Sequence, residues 1–157
     1  SNANPLLLAW PLNNYWDTNF SSSQPGLINI SYGFMTFEKF SKSTMFSEGK
    51  AFASKLEIHP LMYCGKFESK SFIECKDEEV QILSVKLSQD EKGVIIRVVS
   101  TSNGKRKTEF KFPFKIYEAN LVDTLENRIV KLEFHSKLVS IKLNQNQITQ
   151  FYVEYDK

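Results

Sequence analysis

Apolar and polar residues alternate along much of the chain after residue 26, which is the period of a β-strand with one buried face. The alternation is clearest in LINISYGF at residues 27–34 and in TEFKFPFKIY at residues 108–117. Their apolar faces hold Ile28, Ile30, Tyr32 and Phe34 in the first segment and Phe110, Phe112, Phe114 and Ile116 in the second. Both segments are therefore predicted strands. Because Pro113 cannot donate a ladder hydrogen bond, we expect the second strand at a sheet edge or with a bulge.

Two further segments depart from simple alternation in an informative way. In VQILSVKL the apolar phase shifts between Ile82 and Leu83, which predicts a bulge or a strand buried on both faces. GVIIRVVS at residues 93–100 is almost continuously β-branched and is predicted to be a central strand covered on both sides. The segments SFIEC, RIVKLEF, LVSIKL and ITQFYVEY complete the series, and LLLAWPL is a further candidate strand.

Turn residues separate these segments and leave room for little helix. QDEKG, residues 125–128, Ser136 and residues 144–147 mark turns, and Asn103-Gly104 is a signal for a two-residue hairpin. Residues 49–57 place Phe52 and Leu56 four apart, which predicts one or two helical turns. Since strands and helices do not alternate, a parallel sheet is not expected.

The predicted fold is an all-β, antiparallel β-sandwich of roughly eight to ten strands with at most one short helix. The 157 residues can bury a substantial core, and we expect a single domain over residues 4–157. Residues 1–3, Ser-Asn-Ala, look like the scar of an expression tag. The 13 phenylalanines are interpreted mainly as core residues rather than as the lining of a hydrophobic ligand pocket.

Composition and charge exclude several classes of protein. No apolar run approaches the ~20 residues of a membrane helix, and the net charge of +2 is small for a nucleic-acid-binding protein. The basic run at residues 105–107 is interpreted as a solvated turn rather than a phosphate site. Cys64 and Cys75 lack metal or redox spacing, and with only two histidines no zinc site is expected. We expect a reducing cytoplasmic location.

Catalytic motifs are not found in the sequence. It contains no nucleophile elbow and no phosphate-binding glycine loop. Asp123, Glu126 and Glu118 could in principle supply the two acids of a glycosidase, but acidic residues beside turns are usually solvated, and we favour that interpretation. His59 and His135 are interpreted as a structural loop residue and a solvent-exposed strand end.

The segment LNNYWDTNF at residues 12–20 allows two interpretations. Asn and Asp side chains stabilise turns, so it could be a rigid loop anchored by Tyr15, Trp16 and Phe20. Amide groups also match sugar hydroxyls, and an indole ring can stack on a pyranose, so Asn13, Asn14, Trp16 and Asn19 could contact a carbohydrate. Composition alone favours the structural loop.

With its flanks, this segment resembles a known family. WPLNNYWDTNFSSSQPGLINISYGF is similar to a W-x-hydrophobic-N-N-x-W-x-T-N-F, Q-x-G segment in the C-terminal part of bacterial glycoside hydrolase family 38 α-mannosidases. SFIECKDEEVQILSVKLSQDEKGVIIRVVS and the closing ITQFYVE also resemble that family, in the same order. The resemblance thus extends over nearly the whole chain.

The resemblance implies a non-catalytic β-sandwich that supports a separate catalytic domain. Family members hydrolyse α-mannosides with a zinc ion and an aspartate nucleophile, and none of those residues maps onto this chain. The chain alone is therefore expected to be inactive, with the catalytic domain of the same polypeptide as its partner. A mannose-containing glycan is a possible ligand, with Asn13, Asn14, Trp16 and Asn19 at the rim of the sugar site. The alternatives are an independent carbohydrate-binding module and an interaction domain.

Overall fold

The structure is a computed structural model that describes residues 6–12, 25–54, 57–58, 60 and 69–156. The chain divides into two compact units, Ser1–Phe37 and Glu38–Lys157. The first unit holds no helix or strand among its described residues, and the second holds the elements described below. The expectation of one domain over residues 4–157 stays a prediction.

The second unit contains one helix and nine strands within its described residues. The helix α1 is Lys42–Ala53. The strands are β1 (Glu74–Cys75), β2 (Val80–Leu87), β3 (Gly93–Ser100), β4 (Arg106–Lys111), β5 (Ile116–Val122), β6 (Arg128–Lys131), β7 (Glu133–His135), β8 (Leu138–Leu143) and β9 (Ile148–Tyr155). No helix in the described ranges has the length and apolar character needed to cross a membrane.

The nine strands form two antiparallel sheets, which confirms the predicted β-sandwich. The four-stranded sheet has the order β1-β4-β8-β7, and the five-stranded sheet has the order β2-β3-β9-β5-β6. Every pair of neighbouring strands is antiparallel. β1 and β2 are edge strands of different sheets, and β1 is only two residues long.

A single large core lies between the sheets. Its fully buried side chains include Ile96, Phe110, Phe112, Val139 and Phe151, contributed by strands or strand ends of both sheets. Before β1, however, none of the described phenylalanines is buried. The expectation that most phenylalanines lie in the core is therefore wrong for that part of the chain.

The two departures from alternation were interpreted correctly. The pairing of β2 with β3 shifts register between Ile82 and Ser84, so Leu83 is the extra residue of a β-bulge. β3 pairs with β2 on one side and β9 on the other. Its residues Val94 and Ile96 face the main core, while Ile95 belongs to a second buried cluster on the opposite face.

The two predicted strands at residues 6–12 and 27–34 are wrong. Neither segment belongs to a strand, and Leu27 and Phe34 are exposed. Alternation makes a segment suitable for one buried face, but a strand also needs a neighbour for its backbone N–H and C=O groups. No described strand provides that neighbour for either segment.

Two other predicted strands are each divided between the two sheets. TEFKFPFKIY forms the end of β4 and the start of β5, and residues 112–115 carry the chain from one sheet to the other. β4 and β5 are interior strands, so the expected edge position is wrong. The expected irregularity is present, because the pairing of β5 with β9 shifts register between Ile116 and Glu118. Pro113 itself lies between the two strands, where no ladder bond is needed. RIVKLEF similarly divides at Leu132 into β6 and β7.

The Asn103-Gly104 hairpin is also wrong. Residues 101–105 connect β3 of the five-stranded sheet to β4 of the four-stranded sheet, and these strands do not pair. Gly104 does not adopt the positive φ that a type I′ hairpin turn requires. The segment is a crossover whose length lets the chain change sheets.

The single helix begins earlier than predicted. Ser41 caps it by accepting a hydrogen bond from Thr44 N at 3.2 Å, and Ser54 ends it in an extended conformation. Residues 49–53 of the predicted segment are helical, whereas the part that would continue to residue 57 is not described as helix. Ser43, Ser47 and Lys50, at helical spacing, face β2 and bond to Glu78, Gln81 and Ile82.

Candidate functional site

The four residues predicted from the sequence to contact sugar lie outside the described residues. They are Asn13, Asn14, Trp16 and Asn19. Their role as a sugar rim stays a prediction. The described residue that adjoins them, Leu12, is exposed and belongs to neither a helix nor a strand.

Within the described part of the chain, chemically active side chains converge on the outer face of the five-stranded sheet. A cleft of about 330 Å³ is lined there by the loop between β2 and β3, the loop between β5 and β6, and β9. Its residues are Ser88, Gln89, Asp90, Leu125, Glu126, Asn127, Arg128 and Tyr152. We call Asp90, Glu118, Arg128 and Tyr152 the Arg128 cluster.

Arg128 is at the centre of this cluster. Its guanidinium carbon lies 4.1 Å from the centroid of the Tyr152 ring, a cation–π distance. Its Nη2 contacts Asp90 Oδ2 at 3.1 Å, and its Nε lies 3.5 Å from Glu118 Oε1. The side chain therefore joins two strands and a loop through three different groups.

The loop between β5 and β6 folds across the sheet to reach β2. Glu126 forms an ion pair with Lys86 and accepts a hydrogen bond from Gln89 N at 2.7 Å. Asp123 stabilises the loop itself, because it accepts hydrogen bonds from Leu125 N, Asn127 N and Asn127 Nδ2, each at 2.9 Å.

Beneath the loop is a second, smaller hydrophobic cluster. It consists of Ile95, Val122 and Tyr152, and Tyr152 is only 1% exposed. The Tyr152 hydroxyl donates to Glu154 Oε2 at 3.0 Å. Next to it, Gln150 donates to Asp123 O and accepts from Arg97. The outer face is thus a covered layer whose polar groups have protein partners.

The electrostatics of the cleft favour ionised carboxylates. The hydrogen bond from Ser88 Oγ, at 2.6 Å, lowers the pKa of Asp90 to about 2, helped by Arg128. The hydrogen bond from Lys86 lowers the pKa of Glu126, and those from Asn127 lower the pKa of Asp123. Burial raises the pKa of Tyr152, helped by its hydrogen bond to Glu154. These carboxylates stay charged near neutral pH.

That arrangement does not suit glycoside hydrolysis. The reaction needs one carboxylic acid with a raised pKa to protonate the leaving group, and a second carboxylate at a set separation. Asp123, Glu126 and Asp90 are all shifted the other way, and each is occupied by hydrogen bonds or ion pairs. Of the three candidate acids considered in the sequence, Asp123 and Glu126 therefore stabilise the loop, whereas Glu118 lies in β5 and contacts Arg128.

The other candidates from the sequence have structural roles or none. Among residues 105–107, Arg106 pairs with Asp77 and Glu79, and Lys107 pairs with Glu133 at 2.9 Å, so the basic run is ion-paired rather than a phosphate site. His135 is exposed at the end of β7, as expected. Cys75 is half-buried with a free thiol. Cys64 and His59 lie outside the described residues.

Metal ligation does not fit the described residues either. Across residues 6–12, 25–54, 57–58, 60 and 69–156, no three side chains of His, Cys, Asp or Glu are placed to hold one ion. In the same ranges no buried side-chain nitrogen or oxygen lacks a hydrogen-bond partner. The donor chemistry that a zinc ion requires is therefore not brought together there.

Part of the chain is similar to a known protein family. Residues 79–151 match the model of the glycosyl hydrolases family 38 C-terminal beta sandwich domain. This family 38 match begins at the residue before β2 and ends within β9, so it takes in strands of both sheets and every member of the Arg128 cluster except Tyr152, which is the next residue after it. It covers slightly less than half of the chain. Comparisons with curated proteins and with solved structures gave no match.

The family 38 match confirms the resemblance for residues 79–151. Most of the second sequence motif and the start of the closing ITQFYVE lie within it, whereas the first motif, at residues 10–34, lies outside it. The bacterial type of the family stays a prediction.

Sequence reasoning did not find the Arg128 cluster. Its members come from the loop after β2, from β5, from β6 and from β9, and no local spacing links them. The only available signal was that Arg128 follows a predicted turn and that Tyr152 lies within an apolar strand. Neither indicates that the two side chains stack.

Proposed function

We propose that this chain is the non-catalytic C-terminal β-sandwich of an α-mannosidase-family protein, and that it supports the catalytic region of the same polypeptide. The observation that carries the proposal is the family 38 match over residues 79–151, which spans both sheets of the sandwich. A domain of this type is associated with the family 38 catalytic region, which supplies the partner.

The chemistry of the described residues agrees with a non-catalytic, structural role. Asp90, Asp123 and Glu126 have lowered pKa values and bind to neighbouring loops, which is opposite to the raised pKa that a general acid needs. The zinc ion and the aspartate nucleophile that the family resemblance implies belong, in this proposal, to the catalytic region. The bulk of the sandwich provides a rigid body against which that region packs.

A direct test is hydrolysis of an aryl α-mannoside by the 157-residue chain and by the full-length polypeptide that contains it. The full-length protein is expected to release the aryl group and to lose this activity on treatment with a zinc chelator. The chain alone is expected to give no turnover above buffer. Turnover by the pure chain, or a full-length protein that is inactive on every α-mannoside tested, would contradict the proposal.

The sugar rim is a finer part of the same proposal. Asn13, Asn14, Trp16 and Asn19 carry the amide and indole groups that suit sugar hydroxyls and a pyranose face. In the full-length protein, Trp16→Ala is expected to raise KM for the mannoside. Trp10→Ala, at the other tryptophan of the chain, serves as the matched control. Equal effects of the two substitutions would argue against a specific rim.

The same residues also distinguish the carbohydrate-binding alternative. A titration of the isolated chain with mannose and mannobiose, followed by NMR, is expected to shift no resonance, because a rim is only part of a site. Shifts that saturate at millimolar sugar and vanish in Trp16→Ala would instead favour an independent binding module.

A further inference from the structure

The edge strand β2 is divided into two halves that differ in what covers them. At the first half, helix α1 lies along the edge: Lys50 Nζ donates to Ile82 O, and Ser47 Oγ lies 3.3 Å from Gln81 Oε1. At the second half, residues 84–87, all four residues are exposed. The bulge at Leu83 separates the halves.

The side chains of the second half belong to the core face of the sheet. Val85 is opposite Ile96 and Leu87 is opposite Val94 on β3, and directly opposite residues share a face. Ile96 and Val94 are buried in the main core, yet Val85 is 39% and Leu87 is 62% exposed. The core face is therefore left open along residues 84–87.

The reason is the short strand on the other sheet. β1 is the edge strand of the four-stranded sheet and has only two residues, whereas β2 has eight. The side chains before and within β1 that pack on the core, Ile73 and Cys75, adjoin Val80 and Ile82 in the cleft next to the helix. β1 has no further residue to cover the end of β2, and Phe72, which precedes it, packs on Phe114 and Tyr155.

The backbone of the second half is open as well. Ser88 N donates to Gly93 O at 3.0 Å, so Ser88 faces β3. Since antiparallel strands alternate the direction of their backbone groups, Leu87 and Val85 turn their N–H and C=O groups to the free side. Within the part of the chain that the structure describes, neither residue has a hydrogen-bond partner on that side.

We propose that residues 84–87 of β2 accept an extended strand from the preceding region of the same family 38 polypeptide. An extended backbone supplies both a donor and an acceptor at each alternate position, and a side chain pointing to the core face would cover Val85 and Leu87. The occupant is therefore a segment of about four residues with apolar side chains at alternate positions. The assignment of its source rests on the proposed function.

The neighbouring surface fits such a strand. Lys86, on the outer face between the two apolar residues, is held by Glu126 and does not point at the added strand. On the same face of the five-stranded sheet, Tyr155 stacks on Phe114 at 3.9 Å, and Phe72 packs on both rings at 6.1 and 5.2 Å. An added strand would extend the five-stranded sheet and close the sandwich on the side that β1 leaves open.

Hydrogen exchange tests the proposal in the isolated chain and in the full-length polypeptide. In the isolated chain, the amides of Val85 and Leu87 are expected to exchange fast, while those of Lys86 and Ser88 are protected by β3. In the full-length protein, Val85 and Leu87 are expected to slow by about tenfold or more. Unchanged exchange at both positions would overturn the inference, and the proposed function would stand if the full-length protein still hydrolysed mannosides.

Matched substitutions identify the edge as the cause. Leu87→Lys places a charge on the open core face and is expected to restore fast exchange at Val85 in the full-length protein. Leu125→Lys, at a leucine that is also largely exposed but lies in the loop over the outer face, is expected to leave exchange at Val85 unchanged. Val85→Pro removes the outward N–H without a ladder bond to β3, and it provides a second variant if Leu87→Lys fails to fold.

Two other outcomes would overturn the assigned source. Protection of Val85 that increases with the concentration of the isolated chain would mean that a second copy fills the edge. Protection that is present at every concentration would mean that the edge is already closed within the chain. The exchange rates therefore separate the three possibilities.

Discussion

The outer faces of the two sheets differ in how they are covered. The outer face of the five-stranded sheet is covered by a loop that buries Tyr152 and joins Arg128 to Asp90 and Glu118. The outer face of the four-stranded sheet carries separate pairs, such as Lys107 with Glu133 and Lys111 with Glu74, whose side chains are all about half exposed or more. The first face behaves as a second core layer, and the second is an ordinary solvated surface.

The number of ion pairs on each face is therefore a poor guide to how much that face contributes to the free energy of unfolding. Exposed pairs contribute at most about 1 kcal/mol each, since water and salt screen them. A charged group that packs on a buried ring and bridges loops also holds apolar area away from water. Substitutions on the two faces should therefore differ in size even where the contacts look alike.

The largest difference is expected at Tyr152. Tyr152→Ala removes a buried ring from beneath the loop and should lower the free energy of unfolding by about 3–5 kcal/mol. Lys142→Ala, on the exposed face of the four-stranded sheet, should change it by no more than about 0.5 kcal/mol. Urea unfolding followed by fluorescence measures both. Similar losses for the two variants would mean that the loop does not form a second layer.

A close backbone approach next to Tyr152 gives the next largest effect. A Cβ at Gly93 would collide with Val153 O and with the Tyr152 ring, so Gly93→Ala should cost about 1–3 kcal/mol. At Gly104, in the crossover to the four-stranded sheet, a Cβ would meet nothing within 4 Å. Gly104→Ala should therefore be neutral or slightly stabilising. Thermal unfolding of Gly93→Ala and Gly104→Ala compares the two losses. A melting temperature for Gly93→Ala as high as that for Gly104→Ala would contradict the prediction.

Arg128 tests the joining role of the cluster. Arg128→Leu loses the contacts with Asp90, Glu118 and the Tyr152 ring and should lower stability by about 1–2 kcal/mol. Lys107→Leu loses one exposed pair and should cost about 0.5 kcal/mol or less. A double-mutant cycle between Arg128 and Asp90 measures their coupling. A coupling energy no greater than that between Lys107 and Glu133 would mean that contacts on the two faces stabilise the fold to the same extent.

The smallest effect is the pH dependence that Asp90 contributes. Its pKa is lowered from 3.8 to about 2, chiefly by the hydrogen bond from Ser88. A depressed carboxyl pKa gives stability that is fully present above about pH 4 and is lost as the pH falls toward 2. The native chain should therefore lose more stability over that window than Asp90→Asn does.

The matched control for that titration is Glu133→Gln on the other sheet. The hydrogen bond from Lys107 also lowers the pKa of Glu133, but that pair is exposed. Denaturant unfolding between pH 5 and pH 2, at about 0.1 M salt, should show a weaker difference for Glu133→Gln. If the free energy of unfolding fell in parallel with pH for the native chain and Asp90→Asn, Asp90 would not contribute to the pH dependence.

Sequence periodicity predicted the strands whose partners are close and whose two faces differ in burial. The phase shift at Leu83 revealed a bulge, and the continuous β-branched run of β3 revealed a strand with cores on both faces. Both features are local, so the sequence carries them directly.

Periodicity failed where the chain changes sheet. Phe110, Phe112 and Ile116 keep one alternation across Pro113 because both sheets turn toward the same core. Inward and outward positions are thus readable, but the sheet to which a residue belongs is not. The strand prediction for residues 27–34 was wrong for a related reason, because alternation does not show whether a neighbouring strand is available for pairing.

The Arg128 cluster could not have been predicted for a third reason. It depends on a loop of a few residues folding over three strands, so that Glu126 reaches Lys86 and Arg128 reaches Asp90. Those pairs are 40 and 38 residues apart in sequence. Only the register of the completed sheet brings them together.

The position of β9 has a consequence for how the sandwich is made in the cell. β9 is the last described strand in chain order, yet it lies in the middle of the five-stranded sheet, between β3 and β5. On the ribosome, β3 and β5 therefore emerge long before the strand that joins them. Until residues 148–155 leave the exit tunnel, β3 and β5 cannot be joined into one sheet, and the edges that β9 later pairs stay open.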